Sequence, residues 1–273
     1  MTAVERHRRR PLRLSLRPGV TLALVAVTSL AAFAWPLFTS AGSSMAQTDV
    51  APLLFALVLP LVAAVAIVEV AGGGLDAKTV AMLGVLSALG AALRPLGAGT
   101  GGVELVFFLI ILGGRVFGAG FGFLLGSTTL FVSALITAGV GPWLPYQMLA
   151  AAWVGLGAGL LPPVRGRAEL ALVAAYGAIV SVFFGLLMNL SFWPFTLGAG
   201  TSLSFIAGDP IVDNLWRFAT FSVATSLGWD VGRAVTTAVM VGLFGGVVLR
   251  ALRRTSRRAA FEAPVEFDQP SAT

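Results

Sequence analysis

The stretch Phe107–Ser127, "FFLIILGGRVFGAGFGFLLGS", decides what kind of chain this is. It is apolar almost throughout, and its one charge, Arg115, sits near its middle. Gly114, Gly118, Gly122 and Gly126 recur every fourth residue. On a helix that spacing makes one smooth stripe along which a second helix can approach closely, as membrane helices do. The arginine and the glycines around it divide the run into two short spans, about 103–115 and about 117–138.

Similar runs fill the chain. Of 273 residues, 57% are hydrophobic and 11% are charged. Soluble domains carry about 25% charged residues. The runs are long and continuous, unlike the alternating segments of about ten residues in a transmembrane barrel. The expected fold is therefore an all-α integral membrane protein with about eight spans. They fall near 19–38, 51–71, 77–96, 103–115, 117–138, 145–162, 168–189 and 231–250. Residues 190–212 form the longest loop, and residues 213–229 read as amphipathic and aromatic. The first span has a second reading as a signal sequence, with a basic start and "SSMA" ending at Ala46. Its apolar run is long for that, since signal cores are about 7–15 residues, and a retained helix is expected.

Charge sets the orientation. Six arginines lie between Arg6 and Arg17, and five between Arg250 and Arg258. With Lys78, Arg115, Arg165 and Arg167 they fall on one side of the eight-span arrangement, fifteen of the eighteen basic residues. The positive-inside rule makes that side cytoplasmic, with both termini on it. The basic runs abut apolar spans, so a lipid boundary explains them and no nucleic-acid partner is expected.

Several chemistries drop out. There is no cysteine, and the one histidine, His7, lies in the basic tail. Thiolate chemistry, histidine-based metal centres and a Ser/His/Asp triad are therefore not expected in a membrane pocket. "GGGLDAKT" (72–79) nearly matches a phosphate loop, but Ala77 replaces the second glycine and no strand precedes it. It reads as a turn. Lys78 is the only lysine, so no other such loop exists. Glu69, Arg94, Glu104, Asp230 and Arg233 lie near span ends, which leaves no mid-membrane proton relay. An acid–base enzyme would have to use Glu104, Asp209 and Asp213. No enzyme, cofactor or metal is expected.

The polar and aromatic residues collect on the outer side. They include five of the six tryptophans. An interfacial belt would appear on both faces. One-sidedness suits a cavity with apolar walls and a few convergent polar groups. "GPWLPYQ" (141–147) forms a stiff outer corner there. The expected ligand-lining residues are Arg94, Glu104, Trp143, Tyr146, Gln147, Trp153, Asn189 and Trp193.

The segment from Asp76 to Arg254 resembles the substrate-binding S component of energy-coupling factor (ECF) vitamin transporters. "AKTVAMLGVLSALGAALRPL" (77–96) looks like that family's alanine-spaced first core helix. Residues 107–127 look like its glycine-rich turn, with Ala119 where proline is common. "SLGWDVGRAVTTAVMVGLFGGVVLRALRR" (226–254) looks like its last helix. The resemblance implies a basic cytoplasmic tail (1–18), an added N-terminal hairpin (19–75), a six-helix core (76–254) and a cytoplasmic tail (255–273). It implies a multi-pass protein of a bacterial plasma membrane, holding a vitamin or related micronutrient on its outer side. A flavin, a thiamin precursor or a corrinoid would fit that description. A membrane-embedded coupling subunit and ATP-binding subunits would drive import. The coupling subunit would dock on the small residues Ala77, Ala81, Gly84, Ala88 and Ala92. A stand-alone secondary transporter or channel for a small organic solute is the alternative.

Overall fold

The computed structural model describes residues 16–42, 77–97, 101–197 and 200–258, with Pro60 and Ala64 as isolated helical positions. Among these the chain is all-helical. The helices are α1 (Leu16–Phe33), α2 (Ala77–Gly97), α3 (Val106–Phe117), α4 (Ala119–Ile136), α5 (Leu144–Leu160), α6 (Arg167–Thr196), α7 (Ile211–Thr225), α8 (Leu227–Met240) and α9 (Gly246–Arg258). A 3-10 turn, Trp35–Phe38, follows α1, and a π-helical segment, Val241–Gly245, joins α8 to α9. Four segments are long and apolar enough to cross a membrane: α2, α4, α6 and the run Leu227–Ser256. The expected span 51–71 and both terminal tails lie essentially outside the described residues.

α3 is the centre of the bundle. It is apolar on every side, and each residue from Val106 to Gly114 is buried. A helix that is hydrophobic all round belongs inside a large assembly of helices. α4 is mostly buried too, whereas in α2, α6 and the last run most residues are at least partly exposed. What they expose is apolar: Val85 and Leu89 on α2, Ile179 and Phe183 on α6, Val239, Leu243 and Val247 at the end. An apolar exterior on long helices is the surface that lipid covers.

The glycine repeat does not lie on one helix. Gly118 takes φ +100°, which a side chain would disfavour. Its N–H closes α3 on the Gly114 carbonyl (2.9 Å), and its own carbonyl accepts from Gly122 N–H (2.9 Å) to begin α4. Folding at this corner turns Gly114 and Gly122 toward the same point. A Cβ at either would overlap the carbonyl of Gly155 on α5. Gly126 abuts the Ala151 carbonyl, and Gly159 abuts Ala119. Backbone thus meets backbone along the whole α4–α5 contact. In lipid, where apolar burial alone drives little association, such packing holds helices together.

The other elements correct the sequence boundaries in detail. α6 runs to Thr196, seven residues past the expected end, and so shortens the expected 190–212 loop. Its extension carries Pro194, tolerated because tertiary contacts hold that turn: Trp35 Nε1–H donates to the Ser191 carbonyl (3.2 Å). The amphipathic segment becomes α7, which breaks at Ser226 before α8. On the last helices the small residues Ala234, Ala238, Gly242 and Gly246 are exposed or half-buried. Thr237, Val241, Gly245 and Leu249 are buried instead.

At one end of the bundle, Glu169 on α6 is buried and accepts from Arg115 Nε (2.8 Å) and from Arg253. Arg115 also donates to the carbonyls of Leu161 (2.7 Å) and Pro162 (3.0 Å). This arginine-rich end joins α3, α6, α9 and the loop before α6. In purified protein, Gly155→Ala should lower the thermal unfolding midpoint sharply, by an amount equivalent to about 2–3 kcal/mol of overpacking. Gly84→Ala, with nothing within 4 Å of the added carbon, should not lower it and should raise it slightly, since alanine is the better helix former.

Candidate functional site

Helix lengths create the site. α3 has 12 residues and α6 has 30, about 18 Å against about 45 Å. α3 ends and α6 begins at the arginine-rich end, where Arg115 meets Glu169. Crossing a hydrocarbon core of about 30 Å takes about 20 helical residues. α3 therefore stops short, and the opposite end of the bundle is recessed above it.

Charged side chains fill the floor of this recess. Arg233, on the second turn of α8, donates from Nε to Glu104 Oε2 (2.7 Å) and from Nη1 to Asp230 Oδ1 (2.9 Å) and the Ser181 carbonyl (3.1 Å). Its guanidinium lies over the rings of Phe184 (5.3 Å) and Phe107 (5.9 Å). Arg94, on the last turn of α2, donates to Gln147 Oε1 (3.1 Å) and lies 3.7 Å from Glu104 Oε1. Glycines make room: a Cβ at Gly185 would overlap the Asp230 carboxylate, and one at Gly102 would overlap the Trp229 carbonyl. Gly102 has φ +80°, so this loop position favours glycine twice over.

Ser181 is near the midpoint of α6, and Arg233 bonds its carbonyl. The network thus lies level with the middle of the longest helix, deeper than the span ends expected for Glu104, Asp230 and Arg233. An isolated charge at such depth is expensive. Two cations and two carboxylates in contact offset that cost.

Above the floor is a half-open cavity of about 340 Å³. Arg94, Pro95, Gly97, Gly102, Val103, Glu104, Thr137, Gly139, Trp143, Trp229 and Arg233 line it. Of the residues expected from sequence, Arg94, Glu104 and Trp143 border it, and Gln147 reaches it through Arg94. The remaining four are placed elsewhere. Tyr146 is buried between Phe33 (5.1 Å) and Phe192 (5.2 Å). Trp153 meets Phe123 edge-on (5.3 Å). Trp193 is buried against Phe205 and Phe218 and donates to the Leu203 carbonyl (2.7 Å). Asn189 has a buried Nδ2 with no hydrogen-bond partner among the described residues. These aromatics join α1, α6 and α7 to the bundle. Among the charged and aromatic residues of the lining, Trp229 and Arg233 are the ones that sequence reasoning did not select. The available signal was an arginine three residues after an aspartate inside an apolar run.

Asp209 does not join Glu104 in a carboxylate pair; it binds Arg217 Nη2 (2.7 Å). On α2, Ala77, Ala81, Gly84, Ala88 and Ala92 are all exposed. Leu86, Ser87, Gly90 and Ala91 are the face turned inward, with Gly90 against Thr129 and Ser87 bonded to Thr128 (2.7 Å).

No protein-family model matches the chain, and neither a curated protein nor a solved structure does. The site defines the protein only as a helical bundle with membrane-length helices and a charged, tryptophan-bordered cleft at one end.

Arg233→Met strands the Asp230 carboxylate in a buried site. It should destabilise the protein by about 3–5 kcal/mol in denaturant or thermal unfolding. The double variant Arg233→Met/Asp230→Asn should recover part of that loss.

Proposed function

We propose that this chain is the substrate-binding membrane subunit of an ECF-type ATP-driven importer, holding a vitamin-like micronutrient in the cleft. The observation that carries the reading is the outward placement of the small-residue stripe of α2. Ala77, Ala81, Gly84, Ala88 and Ala92 are exposed while the opposite face of the same helix is packed. Small residues on a membrane helix suit a close helix–helix contact, and these stay exposed among the described residues. A coupling subunit is the partner that the resemblance supplies for this face, with ATP-binding subunits behind it. The chain lacks a complete phosphate-binding motif of its own, which suits that division of labour.

In this reading the chain has eight spans, an N-terminal hairpin and a six-helix core. The arginine-rich end is cytoplasmic with both termini, by the positive-inside rule. The cleft then opens to the outside of a bacterial plasma membrane. Its volume is at the small end of ligand pockets, about 300–1,000 Å³. A single ring system fits such a space better than a corrinoid macrocycle does.

Ala81→Trp and Ala88→Trp test the docking face. Each should reduce ATP-driven uptake by more than about tenfold, since a bulky side chain prevents close helix approach. Ligand binding by the purified variants should stay within about twofold of the parent. Normal uptake by both rejects the assignment.

One observation favours the alternative, a stand-alone secondary transporter. Asp230 and Glu104 sit level with the midpoint of α6, where carboxylates of ion-coupled carriers lie. Both are paired with arginine, which favours a fixed over a cycling charge. Proteoliposomes containing this chain alone should show no gradient-driven flux. Flux under a proton or sodium gradient would establish the alternative.

A further inference from the structure

The four charges on the cleft floor are not equally engaged. Arg233 spends Nε on Glu104 and Nη1 on both Asp230 and the Ser181 carbonyl, and two phenylalanine rings lie beneath its guanidinium. It is held in place by what surrounds it. Arg94 has one hydrogen bond among the described residues, to Gln147. Its approach to Glu104, at 3.7 Å, is an ion pair too long for a hydrogen bond. A guanidinium carries five N–H donors. Most of those on Arg94 therefore have no acceptor among the described residues, and the residue borders the cavity.

Glu104 is held by the stronger partner. Its Oε2 takes the short bond from Arg233. An incoming acceptor can thus engage Arg94 without pulling Glu104 from Arg233. The two indoles bordering the cavity, Trp143 and Trp229, are both about half exposed. Neither lies in the aromatic cluster that packs α1, α6 and α7. Exposed indoles beside a cavity offer flat apolar surface for a ring. The two arginines and two carboxylates of the floor balance in charge, so the unfilled donors of Arg94 are what favour an acceptor.

We infer that the cleft selects a small planar aromatic acid, its ring against Trp143 and Trp229 and its carboxylate bound by Arg94. The inference rests on the reading of the cleft as the ligand site. Arg94 supplies a planar fork of donors that matches a carboxylate in two places. Gln147 fixes the direction of that fork through its bond to Nη2. Arg233, Asp230 and Glu104 form the rigid charged floor and do not bind the acid themselves. The cavity volume limits the ring system to one or two fused rings.

Paired acids and amides of one shape test this. The full-length protein in detergent is titrated with benzoate and benzamide, indole-3-carboxylate and its carboxamide, and 2-naphthoate and 2-naphthamide. Tryptophan fluorescence and thermal stabilisation report binding. The acid should bind about ten- to a hundredfold more tightly than its amide in at least one pair, the scale of a charge-assisted double hydrogen bond. Arg94→Gln should bring that ratio close to one. Arg94→Lys, which keeps the charge and loses the fork, should retain a reduced preference and shows that the position tolerates substitution. Equal binding of acid and amide by the parent overturns the acid preference and leaves the cleft as a ligand site. A preference that survives in Arg94→Gln overturns the role of Arg94. No response to any member of the three pairs overturns both the inference and the reading of the cleft beneath it.

Discussion

The rest of this structure depends on the contact of backbone with backbone around Gly155. Gly114 and Gly122 come to it from two different helices, α3 and α4, joined by the left-handed corner at Gly118. In lipid the helices have little to gain from burying apolar surface against one another. Close approach, many weak contacts and a fixed corner supply the cohesion instead. A methyl group at this point would separate three helices at once.

That contact also fixes the depth of the cleft. With α4 and α5 held on α3, and Arg115 holding the start of α6 through Glu169, the short α3 is anchored at the arginine-rich end. Its other end stops near the middle of α6. The space left above it is polar because Glu104, Asp230 and Arg233 meet there, and Gly97, Gly102 and Gly139 border it. The tryptophans divide in the same way. Trp35 and Trp193 fasten the extension of α6, whereas Trp143 and Trp229 face the cavity.

How much of this was legible follows from what each signal measures. Hydropathy reports how apolar a stretch is, so the apolar, all-helical class could be read from it, while four of the described segments are of membrane-crossing length. It does not report how far a helix runs once tertiary bonds support it, which is why α6 passes its expected end through Pro194. One-sided tryptophans were read as a cavity, but aromatic residues serve packing and binding alike. Tyr146, Trp153 and Trp193 therefore stood in the expected site beside Trp143, and the structure packs them elsewhere. Arg94 and Glu104 were selected as polar groups at an outer end. Arg233 was placed near the same end but not selected; its pairing with Glu104, 129 positions away, is visible only in the fold.

By itself the sequence determined a strongly apolar helical chain, with its arginines clustered in two stretches, Arg6–Arg17 and Arg250–Arg258, and no cysteine or histidine in its apolar segments. These are properties of composition and period, and each residue contributes to them independently of distant ones. Only the tertiary structure decided which glycines touch, which tryptophans face the cleft and that four charges separated by up to 139 positions, Arg94 to Arg233, form one network. Those facts depend on the lengths of neighbouring helices and on which side of each helix is already covered. Neither is encoded in any local stretch of chain.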